Sequence, residues 1–372
     1  MALMKRKLIL HIGYGKTGSS ALQSWFANNQ EGLMRLGVCY AGGNRAARHY
    51  EVSSGNASIL LSYLDGEGVA DIELIDHYFS DKRTALISAE ALQTLGTSDK
   101  DRASKLLQFV GNNDIDLQVV AYIRNIYNHN YSNYVQAVKR RGLTGCFDEW
   151  FAIEGNANPL RFYLELYQLI PIDLLHYEQE DGHLASAFCK LTNLDYASLT
   201  AMENRRVNRT LTHAEIEILI HYIEIAKQVG YKPDVFARHI SDHLVNNYPE
   251  IRSEVFLSKA VVGQIERQFR SKIDHFNLIS RKNFDFELKV LNKSGYVDGE
   301  SMSGRSRLEA KSRVQSSIIR QLDVLSDGPR FNFVLKLSFK EPIYVLKMLL
   351  RYTLKKLLVF VMRVLSRLER ML

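Results

Sequence analysis

The amino-acid sequence predicts an α/β fold, a three-layer sandwich in which helices cover both faces of a mostly parallel central sheet. Short, largely apolar runs at residues 8–10, 84–88, 117–123 and 172–177 alternate with segments of helical spacing. This alternation is typical of β-α-β units, whose right-handed crossovers make successive strands parallel. The apolar character of the runs is expected of strands that are buried on both faces.

The helices fill the intervals between these strands. They are predicted at residues 21–26, 59–83, 101–110, 130–140, 160–169 and 183–192, and one more short strand is predicted at 37–40. Residues 210–280 are predicted to be mainly helical, because Thr212 and Glu215 have the spacing of a capping box at the start of an apolar helix. The main domain is therefore predicted to span residues 1–285.

The turn after the first strand, residues 11–20 (HIGYGKTGSS), has the composition of a phosphate-binding loop. Its glycines let several backbone N–H groups point inward, and the helix that follows adds the positive end of its dipole. Lys16 supplies a mobile positive charge. A nucleotide triphosphatase loop reads G-x-x-x-x-G-K-[ST], but here Ser19 follows Gly18 where that lysine belongs. The loop therefore predicts a phosphate-type site that is not an ordinary ATP or GTP site.

Polar side chains lie just after four of the predicted strands. They are Lys16, Glu90, Arg124 and the pair Tyr177 and Glu178. The carboxyl ends of parallel strands meet at one edge of a sheet, and ligands of α/β proteins bind in the crevice outside that edge. We therefore expect these groups to converge on one site.

Residues 11–23 match the pattern H-I-G-x-x-K-T-G-[ST]-[ST]-x-L-Q, which resembles the 5′-phosphosulfate loop of sulfotransferases, especially the bacterial, carbohydrate-type branch. Those enzymes use 3′-phosphoadenosine 5′-phosphosulfate (PAPS) and release adenosine 3′,5′-bisphosphate. The resemblance implies a P-loop-like sulfotransferase fold and a reaction that needs no metal. It also implies that the donor's phosphosulfate is bound by Gly15, Lys16, Thr17, Gly18, Ser19 and Ser20.

The same resemblance implies a site for the donor's 3′-phosphate. Arg124 and Ser132, eight residues apart, match the family's pair at the end of a strand and on the following helix. An arginine can bind a phosphate through two N–H groups, and a serine adds a third donor. Arg206, in the basic loop at residues 204–210, is a further candidate for the same phosphate.

The implied reaction is the transfer of a sulfuryl group to an acceptor hydroxyl or amine. Lys16 is the candidate for stabilising the charge that develops on the departing oxygen. Glu90, in a Ser-x-Glu segment similar to the family's, is the first candidate for the base that accepts the acceptor's proton. His11 is the second candidate, and His129 and His176 are weaker ones.

The charge is concentrated at the C-terminus. Residues 336–372 hold nine Lys and Arg against two Asp and Glu, so this segment carries the whole formal net charge of +7. A nucleic-acid-binding protein usually has a basic surface on its folded domain, so no nucleic-acid partner is expected. The three cysteines are scattered and match no disulfide or zinc spacing, which is typical of a reducing cytosol, and no metal-ligand spacing is visible.

Residues 286–335 are predicted to be a polar linker, because the stretch 292–306 is rich in Gly, Ser and charged residues. Residues 336–372 are predicted to contain a basic amphipathic helix, with a wide apolar face opposite its Lys and Arg side chains. Its longest uncharged run, residues 357–362, is too short to span a membrane. Such a helix is typical of an anionic membrane surface. An oligomerisation helix, or a helix packed on its own domain, stays an alternative.

These features together predict a cytoplasmic enzyme that associates peripherally with the inner face of the cytoplasmic membrane. The apolar run near the N-terminus stops at His11 and does not have the length of a signal peptide. The expected acceptor is a saccharide or a glycolipid. The alternatives are a P-loop kinase or nucleotide hydrolase, and a membrane-tethered nucleotide-binding or scaffold protein.

Overall fold

A computed structural model gives the structure of the chain. It describes residues 5–13, 15–42, 45–49, 53–96, 100–154, 165–177, 183–200, 210–228, 230–251, 257, 259–280 and 304–321. The predicted tail at 336–372, the basic loop with Arg206, and Glu178 all lie outside the described residues.

The chain forms two compact units. The first unit consists of residues 1–132, 151–208 and 258–293, and the second of residues 133–150, 209–257 and 294–372. The physical reason is that the helices of residues 213–247 form a core with a later helix, at 304–321. Sequence spacing alone did not reveal that pairing.

The first unit is built on a sheet, and among the described residues the sheet has five strands, all parallel. They are β1 (Arg6–Ile12), β2 (Val38–Cys39), β3 (Thr84–Ala89), β4 (Ile115–Ile123) and β5 (Ile172–His176), in the spatial order β2-β3-β1-β4-β5. The predicted α/β class with a parallel central sheet is confirmed.

The helices cover both faces of this sheet or belong to the second unit. In chain order they are α1 (Ser19–Asn28), α2 (Gln30–Arg35), α3 (Arg45–Arg48), α4 (Ser58–Asp65), α5 (Asp71–Tyr78), α6 (Lys100–Asn112), α7 (Ile126–Arg141), α8 (Phe147–Glu154), α9 (Leu184–Thr192), α10 (His213–Gln228), α11 (Pro233–Asn247), α12 (Lys259–Ser280) and α13 (Gly304–Gln321).

The strands are buried on both sides. Ile9 and Val120 belong to one core cluster with Phe26 of α1 and Phe188 of α9. Their neighbours along the strands point to the opposite face, as strand geometry requires, and Leu10 is also fully buried. This double burial explains why the strands read as apolar runs.

The order of the strands creates a crevice at the carboxyl end of β1. From β1 the chain goes to β2 and β3 on one side of it, and then crosses to β4 and β5 on the other. Segments leaving β3 and β4 therefore lie on opposite sides of the loop that leaves β1. This is the switch point at which open parallel sheets bind their ligands.

The second unit contains the predicted capping box. The Glu215 backbone N–H donates to Thr212 Oγ1 at 3.2 Å, and the Thr212 N–H donates to Glu215 Oε2 at 3.0 Å. The other oxygen of this fully buried carboxylate accepts a hydrogen bond from Arg313 Nε of α13 at 2.8 Å. One carboxylate thus starts α10 and binds α13 to it.

Helix α13 lies inside the predicted linker at 286–335, which corrects that prediction for residues 304–321. Its buried apolar residues, Ala310, Val314 and Ile318, recur every four positions and form one narrow apolar stripe. The remaining positions are mostly polar or charged, so the average composition of the segment concealed the stripe. Within the part of the chain that the structure describes, no helix is long and apolar enough to cross a membrane.

Candidate active site

The loop between β1 and α1 lies at the switch point and is shaped by two residues with positive φ. Gly18, the N-cap of α1, has φ 79°, and a Cβ there would lie 2.8 Å from both Tyr177 Cε2 and Leu184 Cδ1. Only glycine fits that position. Lys16 also has a positive φ, of 72°, which costs a non-glycine residue about 1–3 kcal/mol. Such strained residues concentrate at functional sites.

Arg124, directly after β4, is bonded to this loop. Its Nη1 donates to the Lys16 carbonyl oxygen at 3.0 Å. Its guanidinium also lies over the ring of Tyr177, which follows β5, at 5.3 Å from the ring centroid. The residues after β1, β4 and β5 therefore meet, as expected because the carboxyl ends of parallel strands lie at one edge of the sheet.

Glu90, directly after β3, approaches the loop from the other side. Ser19 Oγ donates to Glu90 Oε1 at 2.6 Å. The approach depends on Gly13, because a Cβ there would lie 2.8 Å from Ser19 Cβ and 3.2 Å from Glu90 Cγ. The Gly13 N–H donates to the Ala89 carbonyl at 3.2 Å, which continues the β1–β3 pairing to the start of the loop.

Helix α7 presents His129 and Ser132 on one face, since they are three residues apart. The helix begins at Ile126 because Asn125 caps it, its Oδ1 accepting from the Tyr127 N–H at 2.9 Å. Both His129 and Ser132 are buried.

Burial, together with the positive charges of Arg124 and Lys16, lowers the pKa of His129 to about 3. The His129 imidazole is therefore neutral at physiological pH and lies within electrostatic range of both cations.

His11 occupies a different environment. It is fully buried, its Nδ1 and the Ser88 hydroxyl are hydrogen-bonded at 2.8 Å, and the rings of Phe26, Tyr122 and Phe188 surround it at centroid distances of 5.8–6.2 Å. Burial lowers the pKa of His11 to about 4. This is the environment of a neutral core histidine, whereas Glu90 contacts the loop through Ser19.

The structure thus brings together most of the residues that the sequence singled out. Lys16, Gly18, Ser19, Glu90 and Arg124 meet around one loop. Ser132 is buried on α7, the helix that follows Arg124. Of the remaining loop residues, Thr17 is buried, Gly15 has open space where a side chain would point, and Ser20 is half-buried in the first turn of α1.

Sequence reasoning gave little weight to His129, which the structure places in the first turn of α7, buried and within electrostatic range of Arg124 and Lys16. The sequence feature that could have drawn attention to His129 is its position three residues before Ser132. That spacing predicts a shared helix face only if α7 starts before His129, and the structure shows that it starts at Ile126. His176, the other weak candidate, pairs in the sheet with Ile123 at the end of β5.

The arrangement suits an anionic ligand. Two cations, hydroxyl groups and the N-terminus of α1 surround the loop, and one carboxylate lies at its edge. Among the described residues, no group of three or more His, Cys, Asp or Glu side chains is placed to hold a metal ion.

No protein-family model and no curated protein sequence matches the chain significantly. Among solved structures, the chain is similar to a sulfotransferase from Alicyclobacillus acidocaldarius, with 11% sequence identity and a TM-score of 0.36. The match covers 76% of this chain and 98% of that one.

Proposed function

We propose that the chain is a sulfotransferase that transfers a sulfuryl group from PAPS to an acceptor hydroxyl or amine. The observation that carries the proposal is the bond between Arg124 and the Lys16 carbonyl. It joins the phosphate-type loop to a second cationic position, at the start of the helix that bears Ser132. PAPS requires two such positions, one for its 5′-phosphosulfate and one for its 3′-phosphate. A nucleoside triphosphate has no phosphate on the 3′ oxygen of its ribose.

Each residue then has a defined task in an in-line transfer. The loop backbone from Gly15 to Ser20 and the dipole of α1 bind the phosphosulfate. The acceptor oxygen forms a bond to sulfur while the bond between sulfur and the bridging oxygen breaks, leaving its electron pair on the phosphate. Lys16 stabilises that charge. Glu90 accepts the proton that the acceptor loses.

The loop chemistry favours this reaction over phosphoryl transfer. Kinases and nucleotide hydrolases of the P-loop type need a lysine and a magnesium-binding hydroxyl directly after the last glycine of the loop. Here the residue after Gly18 is Ser19, whose hydroxyl donates to Glu90.

The acceptor and the location are proposed from the tail sequence. A basic amphipathic segment at 336–372 would bring the enzyme to an anionic membrane surface. A saccharide or glycolipid acceptor at the cytoplasmic face would be accessible from that position. An oligomer formed through the same helix is the alternative.

The donor assignment is tested by ligand-dependent thermal stability. Adenosine 3′,5′-bisphosphate should raise the melting temperature without metal, and ADP should raise it much less, because ADP lacks the 3′-phosphate. Removing one charged phosphate contact costs about 1.5–3 kcal/mol, so Arg124→Gln should weaken bisphosphate binding about tenfold or more. The matched control Arg35→Gln, at an exposed position on α2, should leave binding unchanged.

Equal stabilisation by ADP and the bisphosphate would contradict the 3′-phosphate site. Stronger stabilisation by ATP with magnesium would instead indicate a kinase or a nucleotide hydrolase.

A further inference from the structure

The contact between Ser19 and Glu90 bears on which group accepts the hydrogen bond of the Ser19 hydroxyl. The resemblance to the sulfotransferase loop implies that Ser19 binds the donor. In the structure its hydroxyl donates to Glu90 Oε1 at 2.6 Å. A serine hydroxyl has one proton to donate, so it cannot serve a carboxylate and a phosphosulfate oxygen together.

Three segments hold this contact in place. Glu90 follows β3, whose last residue, Ala89, is in register with Ile12 at the end of β1. Gly13 lies between the two partners and leaves no room for a side chain of its own. Ser19 is 2% exposed and sits at the first position of α1. The contact is therefore part of the packed loop rather than a chance pairing of surface groups.

A hydrogen bond to a carboxylate is short and roughly twice as strong as one between neutral groups. It engages one oxygen of Glu90 and leaves Oε2 available. The hydrogen bond also helps to keep the carboxylate from forming ion pairs with Lys16 and Arg124. Those two cations are needed to bind the anionic groups of the donor.

We propose that Ser19 is a positioning residue for Glu90 rather than a ligand of the donor. Its hydroxyl holds Glu90 Oε1, so that Oε2 faces the acceptor and takes the acceptor's proton as the new bond to sulfur forms. The proton of Ser19 stays on Ser19 throughout, and the electron pair of the broken bond stays on the phosphate. The inference rests on the proposed sulfuryl transfer.

The test separates donor binding from turnover. Binding is measured with adenosine 3′,5′-bisphosphate, and turnover as hydrolysis of PAPS with water as the acceptor. Ser19→Ala should leave the Kd of the bisphosphate within about twofold and lower kcat by about 10–100-fold. Ser19→Thr, which keeps the hydroxyl, should restore most of kcat. The adjacent Ser20→Ala should show the opposite split, because Ser20 is assigned to the donor.

A double-mutant cycle adds a second readout. If Ser19 acts only through Glu90, Ser19→Ala should cause no further loss of kcat in a Glu90→Gln background. A Kd that rises in Ser19→Ala as it does in Ser20→Ala would overturn the proposal, and that binding result decides even where hydrolysis is too slow to follow. Additive losses of kcat would overturn it as well.

The two levels of inference fail in different ways. Absence of bisphosphate binding by the wild-type protein would refute the proposed function itself. Normal binding by the wild type together with weakened binding by Ser19→Ala would refute only the role given to Ser19. Melting temperatures measured without ligand show whether each variant is folded.

Discussion

Acidification should destabilise the first unit through His11. The native imidazole has a pKa of about 4, because burial among three aromatic rings disfavours its charged form. In the unfolded chain it titrates near its ordinary value, about 6.5. As the pH falls below about 6.5, the unfolded chain takes up a proton that the native protein does not. The contribution of His11 to the free energy of unfolding is therefore fully present above that pH and is lost progressively down to about pH 4.

The size of the effect follows from the two pKa values. The difference between about 4 and 6.5 corresponds to about 3 kcal/mol, at about 1.4 kcal/mol for each tenfold change in proton affinity. Of this, about 2 kcal/mol is lost between pH 7 and pH 5, since the native imidazole stays neutral over that range. His129, whose pKa is lowered to about 3, should add a loss of similar size.

The assay needs a signal from the first unit alone. The chain has two tryptophans: Trp25 lies in the first unit and Trp150 in the second. In a Trp150→Phe background, urea unfolding followed by fluorescence therefore reports the unit that contains His11. His11→Asn keeps a polar atom near the position of Nδ1, which is hydrogen-bonded to Ser88.

We expect His11→Asn to reduce the loss between pH 7 and pH 5 by about 2 kcal/mol. The matched substitution His49→Asn, at an exposed position, should leave the loss at its wild-type size. An unchanged pH dependence in His11→Asn would refute the argument that the buried imidazole is neutral. A folded His11→Asn variant that no longer hydrolyses PAPS would assign the role of base to His11 instead of Glu90.

Two more predictions concern a tight turn and the tail. Gly55→Ala should destabilise the first unit by more than about 2 kcal/mol in the same urea assay, because its φ is 88° and a Cβ would lie 1.9 Å from the Ser88 carbonyl oxygen. Gly37 has a similar φ of 79°, but open space where a Cβ would lie, so Gly37→Ala should show only the smaller cost of the positive φ. Full-length protein should sediment with phosphatidylserine vesicles, at about 1 kcal/mol per basic residue, and a chain ending at Asp327 should not. Loss of an oligomer on truncation, without any vesicle binding, would show that the tail is an assembly helix.

The sheet could be predicted from the sequence because its signals are local. Each strand is buried on both faces, so each reads as a short apolar run regardless of where its neighbours lie. Because residues that follow parallel strands lie at the same edge of the sheet, Lys16, Glu90 and Arg124 could be placed together without any knowledge of strand order. The structure brings all three to the loop after β1.

Features that depend on helix phase or on distant pairing were not predictable. The orientation of His129 depends on the cap at Asn125, which starts α7 four residues earlier than the predicted start at 130. Helix α13 has an apolar stripe only one residue wide per turn, and its polar composition outweighed that stripe. The division into two units depends on the packing of α13 with α10 and α11.

The role of Ser19 shows why a loop motif leaves part of its chemistry undetermined. The motif specifies where the hydroxyl donors lie in the loop. The group that accepts each of their hydrogen bonds depends on which residue follows the neighbouring strand. Glu90 reaches Ser19 across 71 residues of sequence, only because β3 pairs directly with β1 and Gly13 leaves room between them. Had β4 and β3 exchanged places, Arg124 would stand there instead, and the same serine would face a cation. The order of the strands, rather than the motif, therefore decides between a donor ligand and a positioning residue.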